Sequence, residues 1–327
     1  MGYRHAACLV ARLRETARHL RALSLAVLLL TVTAAGSALA KSLQVVTDIR
    51  PVQALIAALV EGTATEVRLL FQGGDDPHHV ALRPSQVRHL AQADLVFIIS
   101  REMTPPLDRL ARSGRVNRLI ELARADGLTL LPRRRLDPPG IQGPAPRGID
   151  WHVWTDPQNV ILMARAAARA LAETDPAQAA RHAANLSRLE ATLRRADSDL
   201  DQRLPPLAGR AFLLVHDATQ YLERRLGLKP LAVVQPDHET APGPRRMAAL
   251  QRLVQTHPGL CILSPPGGAL RWARRLAEGG HVRVGVIDVL GIRLDAEAGG
   301  LEFWPTYFAS LADTYETCLG PAPDKRP

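Results

Sequence analysis

Short apolar runs alternate with helical patterns on both sides of one long amphipathic segment, and this order constrains the fold most. We interpret three runs before the segment as strands, at 43–49, 67–71 and 94–100. Four more follow it, at 211–217, 231–235, 260–264 and 282–290. In the segment itself, 176–204, leucines such as Leu186, Leu189 and Leu193 recur every three or four residues, which indicates a helix. Strands that alternate with helices predict mostly parallel sheets flanked by helices. We therefore expect two α/β lobes joined by one long helix.

The N-terminus has the pattern of a secretory signal. Basic residues precede an apolar run at 23–32, and a small-residue stretch ends in Ala38-Leu39-Ala40. The run is too short for a spanning helix of about 20 residues, so a membrane anchor is the less favoured alternative. Residues 1–40 hold five arginines and one glutamate, which leaves 36 basic and 31 acidic residues, a net charge of +5. The basic pI of about 10.3 therefore does not indicate a nucleic-acid partner.

These patterns divide the chain into four parts. We predict a signal peptide at 1–40, an N-terminal lobe at 41–175, the long helix at 176–204 and a C-terminal lobe at 205–327. Within the first lobe, the segment 131–149 is rich in Pro, Gly and Arg and is predicted to be a surface loop.

Two cysteines remain once the signal is removed with Cys8. Cys261 and Cys318 are an even pair in an oxidising compartment, which favours a disulfide between them. Two free, buried thiols are the alternative.

Histidines and a carboxylate lie where predicted strands end. They are His78 and His79, His152, His216 and Asp288. Ligands of open α/β sheets bind at the carboxyl ends of the strands, so two facing lobes would bring these side chains into one cleft. Three imidazoles with one carboxylate suit zinc, whereas calcium and magnesium prefer oxygen ligands. No short metal motif joins these residues, so a structural role for each histidine stays open on the residue pattern alone.

Four segments carry a family resemblance along the mature chain: DPHHVALRPSQVRHLAQADLVF, DWHVWTDPQN, FLLVHDATQYLERRLGL and VIDVLG. In order and spacing they resemble the zinc-binding members of the metal-specific solute-binding protein family of ABC importers. The resemblance implies a periplasmic, monomeric protein with a metal site in the cleft between its lobes. It also implies delivery of the metal to a membrane permease that a cytoplasmic ATPase drives, without catalysis by this chain.

The resemblance also implies which residues bind the metal. The first ligand is the histidine four residues before the Leu of the LRPS run, which here is His78. The second is the His of the HVW element, His152, and the third is the His before Asp at the strand end, His216. The fourth is the carboxylate before the second-lobe LG, Asp288. Histidine at the third position implies one zinc per chain, where glutamate would imply manganese. Some members have a disulfide where Cys261 and Cys318 stand.

The chain departs from the family pattern at three places. Segment 131–149 has no histidine, although many zinc members have a loop rich in His and acidic residues there. Pro77 replaces an acidic residue found in some members. The stretch PDHET adds His238 and Glu239 near the expected cleft.

Several other polar residues are predicted either to lie close to the metal site or to lie away from it. Residues that could contact a ligand or lie beside it are His79, His238 and Glu239, and carboxylates that could orient an imidazole are Asp217 and Asp156. The remaining histidines are interpreted as surface or helix-face residues; they are His89, His182, His257 and His281.

Two alternatives stay open. Within the family, the metal could be manganese or iron. In a different class, a secreted zinc hydrolase needs an open coordination position and a general base, for which Glu239 is the candidate. The sequence has no HExxH or GxSxG motif that would support this alternative.

Overall fold

Two four-stranded parallel sheets frame the protein, as the alternation of strands and helices predicts. The structure is a computed structural model, and it describes residues 42–72, 81–144, 146–236, 241–278, 282–295 and 299–321. The first sheet contains β1 (Gln44–Thr47), β2 (Glu66–Leu69), β3 (Leu95–Ile98) and β4 (Leu119–Glu121). The second contains β5 (Phe212–Leu214), β6 (Ala232–Val233), β7 (Cys261–Ser264) and β8 (Arg283–Val286).

Helices flank both sheets. In the first half they are α1 (Arg50–Leu59), α2 (Pro84–Gln92), α3 (Pro105–Arg112) and α4 (Pro157–Thr174). The long helix α5 (Ala179–Arg203) follows, and then α6 (Gln220–Leu226), α7 (Pro244–Thr256), α8 (Leu270–Ala277) and α9 (Phe303–Leu319). Proline in the first turn begins α1 and α4, where its missing N–H is not needed. Asp156 caps α4 as predicted, because its side chain accepts the N–H of Gln158 at 3.0 Å.

Both sheets have the same strand order, and in both the order in which successive strands are added reverses once. The order is β2-β1-β3-β4 in the first and β6-β5-β7-β8 in the second, with every neighbouring pair parallel. The chain therefore leaves β1 in one direction and returns on its other side with β3, and it does the same around β5. Ligands of such sheets bind beyond the carboxyl ends of the strands at this reversal. His216 follows β5 by two residues, so it stands at this point of the second lobe.

The long helix joins the lobes through a shared core. It begins after a 3-10 turn at Pro176–Gln178, and its inner leucines, Leu189, Leu193 and Leu200, are fully buried. One hydrophobic cluster runs from Val45 in β1 through this helix to Tyr315 in α9. Because close-packed interiors resist deformation, a continuous core opposes large movements of one lobe against the other.

Segment 131–149, described except for Ala145, crosses from the first lobe to the second. An isolated antiparallel bridge between Pro132 and Ile149 closes its base. Beyond the bridge, the carbonyl of Leu136 accepts the N–H of Val233 in β6 at 2.9 Å. The predicted surface loop thus also makes a backbone connection between the lobes, and we call it the crossing segment.

The Cys261–Cys318 disulfide is present, as predicted, and links β7 to α9 with Cα atoms 5.6 Å apart. The cystine fits closely because β8 has a glycine beside it. A Cβ on Gly285 would lie 2.9 Å from Cys318 Sγ and 2.8 Å from Leu263 Cδ2. Among the described helices, none combines the length and apolar character that crossing a membrane requires.

Candidate metal centre

A buried carboxylate fixes the orientation of His152. Asp150 Oδ1 lies 2.7 Å from His152 Nδ1 and also accepts the backbone N–H of His152 at 3.1 Å. A carboxylate only accepts hydrogen bonds, so Nδ1 carries the imidazole proton. Nε2 therefore presents a lone pair, which is the state that a metal ligand needs. Buried carboxylates hold metal-binding histidines in this way in many proteins.

His216 meets His152 nitrogen to nitrogen. The two Nε2 atoms lie 3.3 Å apart, and the rings are steeply inclined at 67°. Two nitrogens at about 2.0–2.1 Å from one tetrahedral zinc are about 3.3–3.4 Å apart. The spacing of the two imidazoles therefore equals one edge of a zinc tetrahedron. His152 comes from the first lobe and His216 from the end of β5, so a shared metal would connect the lobes.

Asp288 presents a buried oxygen two residues after β8. Its Oδ2 accepts the N–H of Arg293 at 2.7 Å, whereas its buried Oδ1 has no hydrogen-bond partner among the described residues. The next carbonyl, of Val289, accepts hydrogen bonds from Trp154 Nε1 at 2.7 Å and Tyr307 Oη at 2.9 Å. The Trp154 ring in turn packs against His152, with centroids 5.3 Å apart. This indole therefore connects the Asp288 segment to the His152 segment.

Tyr221 in α6 holds the Asp150 segment from the second lobe. Its hydroxyl donates to the carbonyl of Asp150 at 2.7 Å and accepts the N–H of Leu131 at 3.0 Å. Burial raises the pKa of Tyr221 to about 12, so the phenol stays a neutral donor at physiological pH. The position of His152 thus depends on contacts across both lobes.

Asp217 and Asp156 do not orient the site histidines, contrary to the expectation from sequence. Asp217 pairs with Arg134 of the crossing segment at 2.7 and 3.0 Å. Asp156 caps α4 and lies 3.2 Å from Arg225. Asp150, which the sequence analysis missed, takes the role for His152. The D-x-H spacing of Asp150 and His152 was the signal in the sequence that could have found it.

Four of the predicted site residues lie outside the described residues: His78, His79, His238 and Glu239. Within the described ranges, no group of three or more His, Cys, Asp or Glu side chains is placed to hold one metal ion. Among the described residues, the structure brings His152 and His216 together, and Trp154 connects the Asp288 segment to His152.

The other histidines have separate places. His89 is exposed on α2, and His257 ends α7 with Nδ1 2.9 Å from the carbonyl of Leu253. His182 is on a helix face as predicted, but that face is buried and the residue is only 1% exposed. His281 lies outside the described residues.

A cleft of about 400 Å³ opens beside the two imidazoles. His152, His216 and Asp150 line this cleft, and the crossing segment contributes much of the remaining lining. The arginines of that segment therefore line the same cleft as the two imidazoles.

Comparison with known proteins identifies the family. The family described as "Zinc-uptake complex component A periplasmic" (ZnuA) matches residues 45–318, most of the chain. The chain belongs to the ZnuA family. This membership confirms the resemblance that the four sequence segments carry.

Relatives in this family match over nearly their whole length. A high-affinity zinc uptake system protein ZnuA of Brucella abortus is 26% identical over 318 residues, which cover 87% of this chain and 94% of that protein. The Yersinia pestis protein of the same name is 29% identical, with 85% and 92% covered.

Solved structures show the same fold. A crystal structure of ZnuA superposes with a TM-score of 0.73 at 22% identity, and covers 86% of this chain and 100% of its own. A solute-binding protein, FpvC of Pseudomonas aeruginosa, solved in complex with Mn²⁺, gives 0.70 at 20% identity, with 85% and 99% covered. At these identities the likeness establishes the two-lobed architecture only.

Proposed function

We propose that this chain is the periplasmic solute-binding protein of an ABC importer and that its cargo is Zn²⁺. One observation carries the proposal: two imidazole Nε2 atoms from different lobes lie 3.3 Å apart, and a carboxylate fixes the tautomer of one of them. The family and its curated members, named as zinc uptake proteins, support the choice of metal. Membership in an uptake family also argues for capture and delivery rather than for a hydrolase.

His78 and Asp288 would complete the coordination sphere. The buried Oδ1 of Asp288, which has no partner among the described residues, supports its role, because a buried carboxylate oxygen without a donor gains most from a cation. His78 is proposed from the motif alone. Four protein ligands of this kind give zinc a closed tetrahedral site, as capture without chemistry requires.

The remaining parts of the proposal concern delivery. We propose that the signal at 1–40 directs export and that the zinc-loaded monomer releases its metal to a membrane permease driven by a cytoplasmic ATPase. In this proposal the N-terminal lobe comprises residues 41–175, the long helix 176–204 and the C-terminal lobe 205–327. Because metal bonds would join side chains from both lobes, loading would restrict their relative motion, and a permease could distinguish the loaded form.

Metal competition tests the proposal. The purified protein is stripped and offered equal zinc, manganese and iron, and the bound metal is counted by mass spectrometry. One zinc per chain is expected, with at least a tenfold loss of affinity in His152→Ala and in His216→Ala. His89→Ala, an exposed histidine, is the matched control and should bind zinc normally. Preferential binding of manganese or iron would contradict the assignment of zinc as the cargo. The absence of any tightly bound metal would contradict the proposed function.

A further inference from the structure

The cleft that leads to the two imidazoles is lined by guanidinium groups. Five arginines face it: Arg133, Arg134, Arg135, Arg147 and Arg246. Four carboxylates also line it: Glu102, Asp137, Asp150 and Asp217.

The carboxylates of the cleft already have partners. Asp217 pairs with Arg134 at 2.7 Å, and Asp137 with Arg246 at 2.8 Å. Asp150 bonds His152 at 2.7 Å. Glu102 lies 3.6 Å from Arg124, outside the cleft lining. Among the described residues that line the cleft, the charge that remains to be balanced is therefore positive. We call the exposed part of this lining that contains Arg133 and Arg147 the cleft mouth.

Arg133 and Arg147 carry this charge. Arg133 is exposed and makes one hydrogen bond, to the carbonyl of Pro236 at 3.1 Å, with no ion pair among the described residues. Arg147 is exposed as well, and in the described part of the chain nothing pairs with its guanidinium. Both belong to the crossing segment, which the cross-lobe contacts of Arg134 and Leu136 hold in place.

A cationic mouth is unfavourable for a bare dication. Like charges at the entrance of a cleft lower the local concentration of an approaching cation and raise that of an anion. A cavity of about 400 Å³ is also far larger than one metal ion needs and falls within the range of about 300–1,000 Å³ for small-molecule sites. Guanidinium groups bind carboxylates through two parallel hydrogen bonds, which makes small polycarboxylates the anions that fit best.

We propose that the cleft mouth binds a small polycarboxylate chelator of zinc, of which citrate is the simplest probe, through Arg133 and Arg147. The anionic zinc chelate docks there, and zinc then passes to the imidazoles by ligand exchange. Each Nε2 lone pair that binds zinc replaces a carboxylate oxygen of the chelator, and no proton or electron is transferred. This inference rests on the proposed function and adds the form in which the metal arrives.

Two rates measured on the purified zinc-free protein test the inference. One is zinc uptake from zinc citrate, and the other is zinc uptake from zinc in a weakly complexing buffer. In the Arg133→Ala/Arg147→Ala variant, uptake from citrate should slow at least tenfold. Uptake of bare zinc should stay equal or become faster, because positive charge has been removed. The salt dependence of the citrate reaction should weaken as well.

The matched control is Arg224→Ala/Arg252→Ala, which removes the same charge from exposed positions on α6 and α7 that do not line the cleft. Its two rates should equal those of the unchanged protein. Equilibrium dialysis with labelled citrate should show one site per zinc-free chain, with at least tenfold weaker binding in the cleft variant only.

Other results would overturn the inference in distinguishable ways. If both double variants take up zinc at the same rates, Arg133 and Arg147 have no role in zinc capture. Tight binding of zinc by the protein would still support the proposed function in that case. Inorganic phosphate that displaces labelled citrate at equal concentration would make the mouth a general anion site. A cleft variant that binds citrate normally but fails to support zinc import would assign the arginines to permease docking. Absence of zinc binding in the unchanged protein would end both proposals.

Discussion

The Asp150 carboxylate and the His152 imidazole act as one unit, because the carboxylate selects which ring nitrogen faces the cleft. Asparagine at position 150 would keep the size of the side chain but weaken the hydrogen bond and reduce the basicity of Nε2. We expect Asp150→Asn to weaken zinc binding by about ten- to a hundredfold, as is usual for carboxylates behind metal-binding histidines. Competition with a zinc-sensitive dye measures the change.

Asp126→Asn provides the comparison, since Asp126 is exposed and pairs with Arg169 at 3.0 Å. Its zinc affinity should not change. If Asp150→Asn bound zinc as tightly as the wild-type protein does, Asp150 would not strengthen zinc binding by fixing the tautomer of His152.

His182 makes the stability of the folded protein depend on pH. It is 1% exposed on α5, and neither ring nitrogen has a partner among the described residues. Burial lowers the pKa of His182, and the nearby charge of Asp175 opposes this only in part. The unfolded chain therefore takes up the proton first, so this contribution to stability is present above pH about 6.5 and is lost as pH falls below it.

We expect His182→Leu to be as stable as the unchanged protein at pH 7 or more stable, and to lose less stability between pH 7 and pH 5. The difference in slope is at most about 1.4 kcal/mol per pH unit, the value for one proton. Urea unfolding at several pH values measures it. His89→Leu, at an exposed position, should leave the slope unchanged, and parallel curves for all three proteins would contradict the role of His182.

At the scale of elements, Gly285 lets β8 pass the cystine. A Cβ there would lie under 3.0 Å from both Leu263 Cδ2 and Cys318 Sγ, and both belong to a filled core. Overpacking of this kind costs about 1–3 kcal/mol. We expect Gly285→Ala to lower the free energy of unfolding by that amount, as measured by chemical denaturation.

Gly243→Ala tests whether the loss comes from crowding, because a Cβ at Gly243 would meet nothing within 4 Å. Gly243 is the N-cap of α7, where alanine is a poorer cap than glycine, so the stability of this variant should fall by about 0.5–1 kcal/mol, less than in Gly285→Ala. Equal losses in the two variants would mean that the cystine does not require glycine in β8.

The elements best predicted from sequence are those with a long or continuous apolar pattern. Helix α5, the buried strand β3 and the capped helix α4 all follow from such patterns. The three half-buried residues of β4 give no comparable signal, and the strand was not predicted. Periodicity also cannot show that the crossing segment reaches β6, because that contact uses the backbone of Leu136 and a turn-rich sequence specifies no partner.

At the scale of the whole molecule, the sequence predicted the two-lobed architecture and placed His152 and His216 at one site. Strand ends and motif order carry that information, since they state which edge of a sheet a residue occupies. The network around the site was not predictable in the same way. Asp217 follows His216 directly, yet its carboxylate bonds Arg134, more than 80 residues earlier in the chain. Such a choice depends on which surface the crossing segment meets in three dimensions.

Arg134 connects the lobes through two carboxylates and should dominate this network. It bonds Asp217 and the fully buried Glu223, which also accepts from Tyr315 Oη at 2.7 Å and Thr219 Oγ1 at 2.8 Å. Burial raises the pKa of Glu223, and the charge of Arg134 holds it down. Loss of one partner of a buried ion pair costs about 3–5 kcal/mol. We therefore expect Arg134→Met to lower the free energy of unfolding at pH 7 by that amount.

The pH dependence identifies the cause. Without Arg134 the pKa of Glu223 rises further, so stability is lost as pH increases and the deficit of Arg134→Met should be smaller at pH 5 than at pH 7. Adding Glu223→Gln removes the buried charge and should restore most of the loss, because glutamine can still accept from Tyr315 and Thr219. Arg135→Met is the control: Arg135 is exposed and lies 3.8 Å from Asp137, a contact worth at most about 1 kcal/mol. Equal losses at positions 134 and 135, or no recovery with Glu223→Gln, would show that the lobes are held by their shared core and not by this ion pair.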